Sequence, residues 1–521
     1  MYEQFNASTW LVDRHVEAGN GDRQAVICQG RTYTYGEMHD LVAQSAAALR
    51  AIGVQPEQRL AMAMLDGVEF ITVFLGAMRI GAVPVAMNPL LPGRDLAVIC
   101  ADSRARLALV SVEQADRLAD LMAGAPELEN IVVTGPAPSG DAAGSTAAVI
   151  SWENFIAAGA DHSSEPYDTW SESPGFWLCT SGSTGRPKLA IHRHGDIRAT
   201  CDTYAKDILG ATGDDRFFSV GPMFHAYGLG NSLTFPFAVG ATTILEPTRP
   251  PTPQLVADIA TTHRPTFFFC IPTFYAALNA SDLPDDTFAS VRYGVSAAES
   301  LPAETFERFR ERFGVTILDG IGSTELLHIY LSNAPGATKA GTSGKAVPGY
   351  ELKVVDENGQ VQPTNEPGEL MVKGDSMTIG YWCRSETNKA TFDGPWMHTG
   401  DLYNLDEDGF YTYMGRVDDM LRVGGEWVSP AEVEGVLIEH ESVLEAAVVG
   451  EKDDQSILRP VAYVIPIGGR ENELSPELLS GELTDYCRDR LAGYKRPKRY
   501  EIVSDLPKTA TGKIQRFKLR K

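Results

Sequence analysis

Apolar residues along the first half of the chain alternate between compact runs and longer stretches in which they recur at helical spacing. RQAVICQGRTYTYGEM (23–38) reads as a strand pair running into a helix, with Thr34 and Glu37 at the spacing of a capping box. Met38, Leu41, Val42, Leu49 and Ile52 then fall on one helical face. Short strands are predicted at 60–64, 83–86, 107–110 and 131–133. Further ones are predicted at GFWLC (175–179), TFFFCI (266–271), RYGVSA (292–297) and VTILDG (315–320). This alternation predicts a layered α/β fold with largely parallel sheets, whose ligands sit at the carboxyl ends of strands. GPAPSGDAAGSTAA (135–148) reads as a surface loop.

The pattern changes at YMGRVDDMLRVGGEWVSPAEVE (413–434), where aspartates and glycines flank a short linker. A helix is predicted to start beyond it, with Ser429 as N-cap, Pro430 at the first helical position and Glu432 completing a capping box. VLEAAVVG (443–450) and RPVAYVIP (459–466) read as strands, followed by a helix and a basic tail. The expected organisation is a large α/β portion, 1–417, and a small mobile α+β domain, 418–521.

A length of 521 residues suits two or more domains. A formal charge of −24 argues against nucleic-acid partners, so an anion pocket would have to be built locally. Cys28, Cys100, Cys179, Cys201, Cys270, Cys383 and Cys487 never form C-x-x-C, which reads as reduced thiols of a cytoplasmic protein. The start, MYEQFNASTW, lacks a secretion signal. The most apolar stretch, near 71–85, is broken by Arg79 and Pro84 and is too short to span a bilayer. No membrane association is expected, and monomer and homodimer both remain open.

TSGSTGRPKLA (180–190) packs glycines and hydroxyls before one cation, Lys188. The phosphate loop G-x-x-x-x-G-K-[ST] does not fit, because Pro187 precedes the lysine and Leu189 follows it. A strand delivering such a loop nevertheless suits phosphate oxygens. Four more motifs follow in order: DGIGSTE (319–325), HTGD (398–401), GRVDDM (415–420) and PKTATGKIQR (507–516). Together the five resemble the adenylate-forming superfamily of acyl- and aryl-CoA ligases, peptide-synthetase adenylation domains and beetle luciferase. GPMFHAYGLGNSLTFPFAVGAT (221–242) and DGIGSTELLHIYLSN (319–333) look most like benzoate-CoA ligases.

The resemblance implies ATP, Mg²⁺ and CoA as reactants. A carboxylate attacks the α-phosphorus of ATP, and a thiol then takes the acyl group as the C-terminal domain rotates. It assigns Thr180, Ser181, Gly182, Ser183, Thr184, Gly185 and Lys188 to the β- and γ-phosphates. Leu189 replaces the glycine usual in the family. Thr324 would contact the α-phosphate and Glu325 the metal. Asp401 would hold the ribose, and Arg416 would help hold the same sugar and the α-phosphate. Ala298, Glu299, Ser300, Asp319 and Gly320 would frame adenine, beside Ile321 and Gly322. Lys513 is the expected catalytic ammonium, Asp418 the hinge, and Gly424 and Gly425 the path of CoA.

His225 stands where many benzoate-type sequences carry phenylalanine. It fits either a donor to the acid or an ordinary structural histidine. The remaining aryl-pocket candidates are Ala226, Tyr227, Gly228, Ala297, His328 and Ile329, with Gly320 and Ile321 shared. Flat, small and apolar residues suit an aryl ring. The expected substrate is benzoate or a small amino- or hydroxy-benzoate. The acceptor is CoA or, alternatively, the phosphopantetheine of a carrier protein.

Overall fold

The computed structural model describes residues 3–135, 147–180, 187–423, 426–452, 458–467, 475–508 and 514–520. Among them, one seven-stranded sheet runs in the order Ala148–Ser151, Asn130–Thr134, Leu107–Ser111, Arg59–Ala63, Val83–Ala86, Pro174–Thr180, Lys188–Arg193. Its neighbours are parallel except the last pair, an antiparallel hairpin. A nine-stranded sheet is parallel through its centre, including Arg216–Ser219, Phe267–Cys270, Tyr293–Ser296 and Ile317–Gly322. Antiparallel strands close both of its edges. The predicted strands are present, displaced at their ends by a residue or two. One difference matters: the strand predicted to stop at Gly320 continues to Gly322, because Ile329–Ser332 pairs back onto it.

The helices Tyr35–Ala51 and Val68–Arg79 share one apolar cluster with both sheets. The first begins on the predicted capping box: Glu37 N–H donates to Thr34 Oγ1 at 3.2 Å, and Thr34 N–H to Glu37 Oε2 at 2.8 Å. In the second, every residue but Glu69 is buried, as expected of a helix enclosed on all sides. It crosses the first helix closely at Gly76, where a Cβ would come within 3.0 Å of Ala46 N. Arg79 at its end is only 5% exposed and pairs with Asp13 at 2.7 Å. Removing either partner would strand a buried charge, at about 3–5 kcal/mol. No helix among the described residues is long and apolar enough to cross a membrane.

A smaller antiparallel sheet, including Gly368–Lys373, Trp396–Leu405 and Tyr411–Arg416, leads toward the C-terminal portion. There, Val443–Lys452, Leu458–Pro466 and Arg499–Ile502 form a three-stranded sheet. Helices Pro430–Ile438 and Pro476–Arg490 cover it, and Val433, Leu437, Val448, Ala462 and Leu483 build a separate core. Ser429 caps the first of these helices, its Oγ accepting from Glu432 N at 3.1 Å. The predicted reciprocal half of that capping box is replaced. The Glu432 carboxylate turns to Lys495 Nζ at 2.6 Å, because an ammonium outcompetes a neutral backbone donor.

Candidate active site

Thr180 ends one strand of the seven-stranded sheet, and Lys188 opens the next as its register partner. Strand alternation places Phe176, Leu178, Thr180, Lys188, Ala190 and His192 on one face. Leu189 lies on the other face with Trp177, 1% exposed. Its side chain therefore fills core on the face away from Lys188. Ser181, Gly182, Ser183, Thr184 and Gly185 lie outside the described residues.

Segment 376–382 pairs along the outer edge of this hairpin. Ile379 N–H donates to Ile191 O at 3.1 Å, and Trp382 N–H to Leu189 O at 2.9 Å. That pairing brings Tyr381 against Lys188, whose Nζ lies 4.3 Å from the ring centroid. The Tyr381 hydroxyl donates to Glu325 Oε1 at 2.6 Å. Burial, reinforced by the Glu325 charge, pushes the phenol well up and keeps it a donor.

The irregular segment carrying Thr324 and Glu325 is held by its carbonyls. Thr324 O accepts from His192 Nε2 at 2.8 Å, Glu325 O from Thr378 N at 2.7 Å, and Leu326 O from Ser376 Oγ at 2.7 Å. Among the described residues no cluster of three metal-ligating side chains exists. A lone carboxylate suits Mg²⁺ that takes its other ligands from phosphate oxygens and water.

Asp401 and Arg416 face each other across neighbouring strands, with Nη1 and Oδ1 2.8 Å apart. Between Thr399 and Asp401, Gly400 has φ +69°, and a Cβ there would meet Arg416 Nη2 at 2.7 Å. The charges of Asp401 and Glu325 both raise the buried Tyr330 phenol, after burial itself, and Arg416 opposes them. The ribose and metal candidates thus share one neighbourhood.

Ala298 follows the strand Tyr293–Ser296 with φ +78°, a left-handed conformation costly for a residue with a Cβ. Glu299 accepts from Thr273 Oγ1 at 2.6 Å at the start of helix Pro272–Asn279, while Ser300 is exposed. Asp319 is buried, and burial holds its carboxyl well above the carboxylate range. Hydrogen bonds from the Ser296 side chain and the Gly320 backbone oppose that shift. The buried carboxyl thus sits next to Gly320, its fellow candidate for framing adenine.

His225 precedes the short helix Ala226–Leu229 and packs on Phe224 at 4.5 Å between ring centroids. Tyr227 OH donates to Val295 O at 3.0 Å, and its ring stacks on His328 at 5.7 Å. His328 Nε2 meets Asn231 Oδ1 at 3.1 Å, and burial drives the imidazole down to about 3. The aromatic pair is therefore uncharged. Ala226, Ala297 and Ile329 are buried apolar residues and Ile321 is half-buried. Three glycines have packing reasons of their own. A Cβ would meet Pro222 O at 2.1 Å from Gly228, Leu331 O at 2.7 Å from Gly320, and His328 O at 2.5 Å from Gly322.

Lys513, Gly424 and Gly425 lie outside the described residues. The backbone of Asp418 belongs to the single turn Val417–Asp419. The chain flanking Lys513 is clasped: Lys508 bridges Ile514, and Gln515 N–H donates to Pro507 O at 2.7 Å. Lys508 pairs with Glu445, and Arg516 with Glu434, each at 2.7 Å. Sequence reasoning missed Tyr381, His192, Ser376 and Thr378. Only pairing between distant segments brings Tyr381, Ser376 and Thr378 here; His192 shares the strand face of Lys188, but its reach to Thr324 O is a contact that spacing does not reveal.

Fold and site together define an AMP-binding enzyme, and the chain belongs to that family. The AMP-binding enzyme family matches residues 12–382, and the AMP-binding enzyme C-terminal domain matches 432–513. The chain is 44% identical to a benzoate–CoA ligase of Thauera aromatica, over 99% of this chain and 96% of that protein. A 4-hydroxybenzoate–CoA/benzoate–CoA ligase of Rhodopseudomonas palustris is 38% identical, over 99% and 94%. The crystal structure of a benzoate CoA ligase from Burkholderia xenovorans superposes with a TM-score of 0.90 at 41% identity, covering 99% of this chain and 100% of that one. An anthranilate CoA ligase in complex with anthranoyl-AMP superposes at 0.92 and 36%, covering 100% and 97%.

Proposed function

We propose that the chain activates benzoate, or a small amino- or hydroxy-substituted benzoate, with ATP and passes the acyl group to CoA. Formation of an aryl-adenylate and then an aryl-CoA thioester is the activity its full-length relatives support. The observation that carries the residue roles is the junction at Tyr381, which joins the cation of the phosphate-loop strand to the carboxylate of the GSTE segment.

In the first half-reaction, Lys188 and the loop before it hold the β- and γ-phosphates. Thr324 orients the α-phosphate. Glu325 would hold Mg²⁺, which when bound offsets phosphate charge as pyrophosphate departs. Asp401 accepts from the ribose hydroxyls while Arg416 keeps its carboxylate aligned. Asp319, with Gly320 beside it, frames the adenine. The aryl ring lies against Tyr227 and His328, which exclude water and present no net charge. Lys513 neutralises the carboxylate and α-phosphate oxygens as they approach.

Residues 418–521 then rotate about Asp418 and bring Gly424 and Gly425 to the pantetheine. Asp418→Pro is expected to retain acid-dependent ATP–pyrophosphate exchange and lose CoA transfer; normal overall turnover would remove the hinge. A pyrophosphate-release panel of benzoates, aminobenzoates, hydroxybenzoates and medium-chain fatty acids tests the substrate class. Preference for fatty acids overturns it. Supplying CoA and a holo-carrier protein separately decides the acceptor, and transfer to the carrier alone overturns CoA.

A further inference from the structure

His192 and Asp196 belong to no motif, yet both are buried, with side chains 0% and 1% exposed. Asp196 Oδ2 lies 3.0 Å from His192 Nδ1 and accepts from Arg193 N–H at 3.0 Å. Its Oδ1 accepts from Arg193 Nε at 2.9 Å. The carboxylate is thus fixed in place by its own strand-to-helix turn. The imidazole stacks on Phe176, ring centroids 5.2 Å apart and planes within 15°. Its Nε2 points across to Thr324 O at 2.8 Å. A backbone carbonyl only accepts, so Nε2 carries a hydrogen there.

Of the two bonds that His192 makes, one stays within the turn, at Asp196, and the other is to Thr324. The second reaches 132 residues along the chain, into the irregular segment that carries Thr324 and Glu325. Lys188 and His192 are on the same strand face, so one rigid strand fixes both the phosphate cation and that segment. We infer that His192, oriented by Asp196, is a positioning residue for adenylation: it sets Thr324 and Glu325 in register with Lys188. The inference rests on the roles proposed above for those three residues.

His192→Leu removes the donor while keeping bulk in the apolar stack, and His192→Gln restores a donor to Thr324 O. The leucine variant is expected to lose about 10- to 100-fold in kcat for ATP–pyrophosphate exchange. KM for benzoate should stay within about twofold, and thioester formation from supplied benzoyl-adenylate should be retained. In the ligand-free protein, amide hydrogen exchange over residues 320–328 should accelerate. The glutamine variant should recover both rate and protection.

Asp196→Asn keeps the ring but weakens its orientation, so a smaller loss with the same exchange signature is expected. Wild-type exchange kinetics in the leucine variant, or unchanged protection at 320–328, overturns the inference. A glutamine variant as impaired as leucine does the same. Glu325→Gln is measured in parallel. Full adenylation there removes the role of Glu325, while the hydrogen-exchange contrast still decides whether His192 holds the segment.

Discussion

The hydroxyl of Tyr381 donates to Glu325 at 2.6 Å while the face of its ring lies under Lys188 at 4.3 Å. One aromatic side chain therefore meets a cation on its face and an anion at its hydroxyl.

Tyr381→Phe keeps the ring beneath Lys188 and deletes only the bond to Glu325. Loss of a hydrogen bond to a charged group costs about 1.5–3 kcal/mol, so adenylation should slow about tenfold or more. Saturation with Mg²⁺ should also shift to higher concentration. Pyrophosphate exchange measured across a magnesium series checks this, and an unchanged series removes Tyr381 from the site.

Lys513→Ala should abolish acid-dependent ATP–pyrophosphate exchange and leave thioester formation from supplied aryl-adenylate largely intact. The two half-reactions assayed separately give the answer. Equal loss in both refutes the division of labour.

His194 is fully buried, accepts from Ala7 N–H at 3.1 Å through Nδ1, and is pushed by burial from 6.5 down to about 3. The unfolded chain therefore binds the proton first as pH falls. Stability is complete above the ordinary histidine range and is lost from 6.5 toward 3, at up to about 1.4 kcal/mol per pH unit for each such group. His328 shifts in the same direction. His194→Asn keeps an acceptor for Ala7 and cannot take up the proton, so its melting temperature should fall less steeply below pH 6. Parallel curves for the two proteins contradict this.

Gly228→Ala would push a Cβ to 2.1 Å from Pro222 O, a backbone atom with nowhere to move. Overpacking costs about 1–3 kcal/mol, and rigid backbone places this site at the upper end. Thermal unfolding should register the loss before any assay does. An unchanged melting temperature disproves the packing role.

The α/β alternation, the strand before the Gly/Ser loop, and the cap at Thr34 were legible because each is a local pattern. Ser429 shows the limit of such reading. Its hydroxyl caps as predicted, but Glu432 left the box for Lys495, 63 residues away. The motif residues could be named from resemblance alone. The contacts that hold them, Tyr381 on Glu325 and His192 on Thr324, join segments far apart in the chain and leave no trace in spacing.

Thr180 and Lys188 close the ladder on either side of residues 181–187. The position of Lys188 is consequently set by the ladder and by the core beneath its neighbour Leu189, not by the residues that precede it. An engineer could therefore exchange residues 181–186 for other sequences and expect the Lys188 ammonium to keep its place against the Tyr381 ring.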